Sequence, residues 1–442
     1  MKVIVENTVC LNAGDAAILI AIMRIIGRTL GKDVEFHVFD KNPAVAAKYY
    51  KDIRFYPLTT SLLKTEPFNL PLVGKRWNIR IRRNVQRLKN WRYNRILKSL
   101  AAGQLSKLAQ FTSFDRQLSK NLKTYSDADL VVSTGGTYLV EHYDIAPCIE
   151  EFEKDFILRK PLVLFTQSLG PFTRPENVEK VREIASKARL ILLRDEKSQN
   201  NLLNIGVSGD RLRVVSDSVF ALADTDALKE PFAGVKGERM RVAVSVRDWQ
   251  HFENLDAEVG MRNYKKSVAD AVTSLVRQRR CEVVFLSTCQ GIPEYRYDDS
   301  AVAMEIFESL DADTKKSVSV DRAFHSPDEL MTLVRGFDFV ISTRMHMAIL
   351  SMCSGVPVLP ISYEFKMTEL YRGISQSKWV TDISHIVPEE FTRKAIQFSG
   401  ELEGFYRSVM PEIAAQALSA QSAGPLALGA IKESHPVRAM RS

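Results

Sequence analysis

Phe339-Val340-Ile341-Ser342-Thr343-Arg344-Met345-His346 is an unbroken apolar run that ends in hydroxyl residues and then sets an arginine and a histidine one residue apart. An apolar run without polar alternation reads as a strand buried on both faces, as in a parallel sheet covered by crossover helices. Working outward, similar short runs fall at 2–5, 34–39, 129–133, 162–166, 189–193 and 213–216, and again at 241–246, 282–287, 317–320 and 356–361. Helix-length segments separate them. The alternation predicts an α/β protein with parallel sheets. The charged stretch Asp224–Met240, with Pro231, Gly234 and Gly237, interrupts it. The expected organisation is an N-terminal domain over 1–235 and a C-terminal domain over 236–400. A helix over 401–420 would return to the first domain, and 421–442, rich in small residues, would form a disordered tail.

The chain has 442 residues, 45% hydrophobic and 26% charged, which excludes a mostly disordered, collagen-like or coiled-coil protein. No run approaches the ~20 apolar residues of a membrane-spanning helix. Met1-Lys2-Val3-Ile4-Val5 opens directly on a strand, so no signal peptide is expected. The five cysteines (Cys10, Cys148, Cys281, Cys289, Cys353) lack CxxC spacing and read as fillers of a reduced, cytoplasmic protein. No His/Asp/Glu cluster has metal-ligand spacing, and there is no Walker loop, G-x-G-x-x-G or G-x-S-x-G. Neither a metal nor a cofactor is expected.

Net charge is +8, from 61 basic and 53 acidic residues. Between Pro67 and Phe114 lie eleven Lys/Arg and no acid, so the rest of the chain carries 50 basic against 53 acidic residues. Within this insert, about 67–114, Trp77, Ile81, Val85, Leu88 and Trp91 recur at helical spacing, flanked by Arg76, Arg80, Arg83 and Arg87. Such a helix over 75–98 suits either an anionic membrane surface or packing of its apolar stripe on its own domain. Nucleic acid is not expected, since nothing else in the chain supports it.

In open α/β sheets ligands bind beyond the carboxyl ends of the strands. Those ends carry Asn12-Ala13-Gly14-Asp15, Ser133-Thr134-Gly135-Gly136-Thr137, Gln167-Ser168-Leu169-Gly170-Pro171, Arg194-Asp195, Asp217, Arg247, Arg344-Met345-His346 and Ser362-Tyr363, with Lys366 shortly after. Glycine turns bring backbone N–H groups close to an anion, and Arg194, Arg247 and Arg344 supply guanidinium forks. The pattern points to a small, multiply charged anionic substrate. His346, at a strand-to-helix junction beside Arg344, is the histidine best placed as a general acid. His142, near Glu141 and beyond the Gly135-Gly136 turn, is a second candidate.

The order Asn12-x-Gly14-Asp15, Gly135-Gly136, Gln167-x-x-Gly170-Pro171, Arg194-Asp195-x-x-Ser198, Asp217-x-x-Phe220, Ser245-x-Arg247, Ser342-x-Arg344-x-His346 and Gly355-Val356-Pro357 resembles the polysaccharide pyruvyl transferase family. The resemblance implies two Rossmann-like domains arranged as in GT-B glycosyltransferases. It implies phosphoenolpyruvate as donor, and a sugar hydroxyl pair on a bacterial polysaccharide or lipid-linked saccharide as acceptor. Arg344, His346 and Arg194 would hold the donor. The chain has Thr134 where family members commonly have a further glycine, and Thr166 where they commonly have glycine before the glutamine.

Ketal formation needs a proton at the methylene carbon of phosphoenolpyruvate, assigned to His346. Arg247 and Lys366 would add positive field to the donor site. Asp217, Asp15 and Glu141 are alternative bases for the hydroxyl protons. Asn12, Gly135, Gly136, His142 and Gln167 complete the expected acceptor side. Two other readings are a GT-B glycosyltransferase, with Glu364 on a donor ribose, and a non-catalytic scaffold of a polysaccharide assembly complex.

Overall fold

A computed structural model describes residues 1–31, 33–65, 75–104, 112–141, 143–235 and 237–432. Its strands are β1 (Lys2–Thr8), β2 (Glu35–Asp40), β3 (Phe55–Pro57), β4 (Leu130–Ser133), β5 (Gly136–Leu139), β6 (Leu162–Leu169), β7 (Leu190–Leu193) and β8 (Leu212–Val214), then β9 (Arg241–Ser245), β10 (Glu282–Phe285), β11 (Val318–Val320), β12 (Phe339–Ser342), β13 (Val358–Ser362) and β14 (Thr381–Asp382). They form two sheets. One runs β3-β2-β1-β4-β6-β7-β8, with β5 added on β6, and the other runs β11-β10-β9-β12-β13-β14. The strand pairs within both are parallel. The α/β class and the parallel sheets are those read from the apolar runs. β3, β5 and β14 are additional strands, each of two to four residues, too short to show a pattern.

The chain divides into two compact units. One holds Met1–Cys10, Ile22–Asp217 and the described residues from Ser422; the other holds Leu11–Ala21 and Ser218–Gln421. The division thus falls at Asp217/Ser218, ahead of the expected 235/236. The reason is the turn Ser218–Leu222, wholly buried, which joins the second unit before β9 begins. There the Cys353 thiol points to the Val219 carbonyl at 3.9 Å. The expected tail also changes. A single helix, Leu402–Lys432, runs through 421–432 with Ala423 and Ala427 buried. Its Gly424 lies where any Cβ would strike Ile25 and Thr29. The small residues that suggested a tail are those that let two helices approach closely. Residues 433–442 lie outside the described residues.

In each sheet the strand order reverses direction at one place, between β1 and β4 and between β9 and β12. At such a switch point the following connections leave to opposite faces and open a crevice beyond the carboxyl ends of the two strands. In the second sheet, β9 leads into Arg247, and β12 leads through Thr343 to Arg344 and His346. The short apolar run therefore delivers its arginine and histidine to the second unit's switch point.

Candidate active site

Arg344 caps the helix Met345–Cys353, and His346 lies in that helix's first turn. The guanidinium is locked by Asp299. Nε donates to Oδ2 at 2.8 Å and Nη2 to Oδ1 at 2.5 Å. This two-point fork fixes the plane of the group as well as its place. Burial works against the Arg344 charge, but the Asp299 carboxylate outweighs it. Asp299 is itself buried, and its Oδ2 accepts from the Ser287 hydroxyl at 2.6 Å. Ser287 in turn sits 3.0 Å from the Ser245 hydroxyl at the end of β9. On the other side, the Thr343 hydroxyl meets the buried Tyr264 phenol at 2.7 Å.

Asn12-Ala13-Gly14-Asp15 belongs to this same unit. Asn12 Oδ1 accepts from the Gly14 N–H at 2.9 Å, and the Ala13 N–H donates to the Thr288 carbonyl at 2.8 Å. These bonds set the start of the helix Ala13–Leu30 against His346. A Cβ on Gly14 would lie 2.9 Å from both Cβ and Nδ1 of His346, closer than side chains tolerate. Asp15 follows, half-buried in the first turn of that helix.

Arg247 lies 3.8 Å from the ring centre of Tyr363 and 4.8 Å from that of Trp249. The two rings are 4.7 Å apart. Lys366 pairs with Glu364 at 2.9 Å and lies 5.3 Å from the Tyr363 ring. Burial pushes the Tyr363 hydroxyl up, but the Lys366 and Arg247 charges outweigh it and hold it below the usual tyrosine value. Of the second unit's three expected cations, Arg344 and Lys366 are each matched by a carboxylate. Arg247 has no carboxylate partner among the described residues.

The first unit uses its expected residues differently. Arg194 Nη1 donates to Asp217 Oδ2 at 2.6 Å, Nε to the Ser168 hydroxyl at 2.7 Å, and Nη2 to Thr137 Oγ1 at 2.5 Å. The Arg194 and Asp217 side chains are 5% and 6% exposed, so this pair is an internal brace. Asp195 caps the helix Glu196–Asn204 through the Ser198 N–H and accepts from Ser168 at 2.7 Å. Gln167 is buried, its amide donating to the Thr134 carbonyl and the Tyr138 hydroxyl, each at 2.7 Å. Gly135-Gly136 does not turn into a helix. Gly136, at φ 116°, opens β5 and pairs with Gln167 on β6. Desolvation works to raise the Glu141 carboxyl, but the Thr173 hydroxyl, the Arg174 N–H and Asn177 outweigh it and hold it at about 2. A carboxyl held that low is a poor base near neutral pH. His142 lies outside the described residues.

Asn12, Gly14, Asp15, Arg247, Arg344, His346 and Lys366 thus share the second unit, while Gly135, Gly136, Glu141, Gln167, Arg194 and Asp217 belong to the first. Sequence reading missed Asp299 and Ser287, which fix Arg344, and Trp249, which stacks near Arg247. Asp299 is one of two adjacent aspartates at the start of the helix Asp299–Ser309, where dipole and capping already account for acids. Only the fold pairs it with an arginine on β12's far end.

The sequence pattern described as polysaccharide pyruvyl transferase matches residues 12–364. AmsJ, the amylovoran biosynthesis protein of Erwinia amylovora, is 26% identical over 405 residues, covering 88% of this chain and 89% of its own. Among solved structures, Anabaena HepE in complex with UDP-glucose superposes with a TM-score of 0.55 at 13% identity, over 98% of this chain and all (100%) of HepE. The UDP-GlcNAc 2-epimerase of Neisseria meningitidis bound to UDP-GlcNAc gives 0.51 at 12% identity, over 98% and 99% of the two chains. At these identities the structures share the fold.

Proposed function

This chain belongs to the polysaccharide pyruvyl transferase family, and we propose that its donor is phosphoenolpyruvate and its product a pyruvate ketal on a sugar hydroxyl pair. The acceptor in this reading is a bacterial exopolysaccharide or a lipid-linked saccharide. The observation that carries it is the constellation at the second unit's switch point, a forked Arg344 beside a His346 set hard against Gly14.

In the proposed reaction His346 gives a proton to the methylene carbon of phosphoenolpyruvate, and cationic character develops at C2. One sugar hydroxyl attacks C2 and loses its proton. The C2–O bond to phosphate then breaks, inorganic phosphate leaves, and the second hydroxyl closes the ring, losing its own proton. Arg344, with Nε and Nη2 held by Asp299, turns its Nη1 edge to the donor. Arg247, the cation without a carboxylate, binds a second anionic group of the donor, and Lys366 adds positive field. Asp15 takes the hydroxyl protons. It stands one residue from the Gly14–His346 contact, in the same unit as Arg344 and His346. No described helix is long and apolar enough to cross a membrane. The five cysteines are free thiols, which suits the reducing cytoplasm where we place the reaction.

Running the reaction in heavy water tests the proton step. The account predicts one deuterium in the ketal methyl group, and loss of acceptor-dependent phosphate release in His346→Gln. Near-wild-type turnover of that variant would remove His346 as the acid.

A further inference from the structure

The helix Lys75–Ala101 has two unlike faces. Its inner face is anchored on its own unit. Lys89 Nζ donates to the Leu62 and Lys64 carbonyls at 3.3 and 3.1 Å, Arg92 pairs with Asp115 at 3.1 Å, Gln86 bonds the Leu63 carbonyl, and Ile96 and Leu97 are buried. The expected single apolar stripe is divided. Ile81 and Val85 turn inward and are half-buried, while Trp77, Leu88 and Trp91 are 61%, 49% and 51% exposed. At 100° per residue these three share an arc of about 140° with Arg76, Arg80, Arg83, Arg87, Arg95 and Lys98. All six cations are exposed, and the helix contains no acid. Arg80 and Arg95 lie over the rings of Trp77 and Trp91 at 5.4 and 5.9 Å. The two tryptophans stand about 21 Å apart along the axis.

We propose that this outer face docks the protein on an anionic lipid surface. Charge selects the partner, because six cations without one acid need a dense negative field. The apolar side chains select its kind. Indole rings and a leucine interleaved with arginines seat at the boundary between headgroups and acyl chains, which a purely electrostatic polyanion does not offer. This inference stands apart from the pyruvyl transfer reading, and its test measures no activity.

The full chain is mixed with vesicles of phosphatidylcholine alone, or with about one third phosphatidylglycerol. Trp249 and Trp379 are 9% and 3% exposed, so a change in tryptophan emission reports Trp77 and Trp91. The emission should shift to the blue on the anionic vesicles only, and the shift should fade with added salt. Binding should fall about a thousandfold when Arg76, Arg80, Arg83 and Arg87 are all changed to Gln. It should fall about tenfold in W77A/W91A. Unchanged vesicle binding in both variants overturns the proposal. So does a duplex oligonucleotide that binds more tightly than the vesicles and ignores W77A/W91A.

Discussion

Gly14 and His346 approach so closely that the position admits no side chain. A Cβ there would lie 2.9 Å from the His346 Cβ and Nδ1. The Asn12 side chain and the Thr288 carbonyl hold the helix start that brings Gly14 in. Gly14→Ala should therefore push the imidazole aside. Turnover is expected to fall about a hundredfold, the usual cost of displacing a reacting group by about an ångström. Overpacking should cost stability only about 1–3 kcal/mol. Steady-state rates beside a thermal melt check this. Wild-type turnover in the variant would mean that the contact does not position His346.

Arg344→Lys separates charge from geometry. Lysine keeps the positive charge but cannot make the two-point fork on Asp299 that sets the guanidinium plane. The expected outcome is a loss of donor affinity of about tenfold or more, measured by calorimetry with phosphoenolpyruvate. Unchanged affinity would show that only charge matters at this position.

Thr166 occupies a left-handed conformation, φ 42°, inside β6, next to an irregular stretch of the β6–β7 register. A β-branched residue is strained there, and its buried hydroxyl has no hydrogen-bond partner among the described residues. Glycine relieves both. Thr166→Gly should stabilise the protein by about 0.5–1 kcal/mol, after allowing for glycine's greater unfolded-state entropy. Denaturant unfolding reads the sign directly.

A buried charge cluster sets a pH response in the first unit. Lys154 Nζ lies 2.7 Å from Glu151, 3.2 Å from Glu6 and 3.4 Å from Asp155. Burial, only partly offset by Lys154, pushes Glu6 up, and burial with the Glu6 charge pushes Asp155 well up. Each folded-state value exceeds the unfolded one, so the native state holds more protons. That stability is present in full below the unfolded carboxyl value, near ~4, and is lost as pH rises through the folded values. Asp155→Asn removes one such group. Its stability relative to wild type should rise with pH when melts are compared from mildly acidic to mildly alkaline buffer. A constant difference would contradict the assignment. Lys154→Met, which strands the carboxylates, should cost about 3–5 kcal/mol.

The fold was legible because buried parallel strands write themselves as apolar runs such as Phe339–Ser342, and each strand end then exposes its chemistry. The strand-end positions of Arg344, His346, Arg247 and Gly14 could be read that way. Partner choice could not. Nothing local to Arg194 distinguishes a brace on Asp217 from a ligand, because the difference lies in a strand end 23 residues onward. Asp299 was hidden for the same reason, 45 residues from Arg344. The basic helix needed its inner contacts with Thr112–Asp115 and Leu62–Lys64 to show which of its apolar residues face outward.

The central claim is the donor, and calorimetric titration tests it most directly. Phosphoenolpyruvate and UDP-glucose would each be titrated into wild type and into Arg344→Ala. The account predicts saturable phosphoenolpyruvate binding that Arg344→Ala abolishes, with no heat from UDP-glucose. Binding of UDP-glucose, with phosphoenolpyruvate silent, would contradict it and make the protein a nucleotide-sugar enzyme.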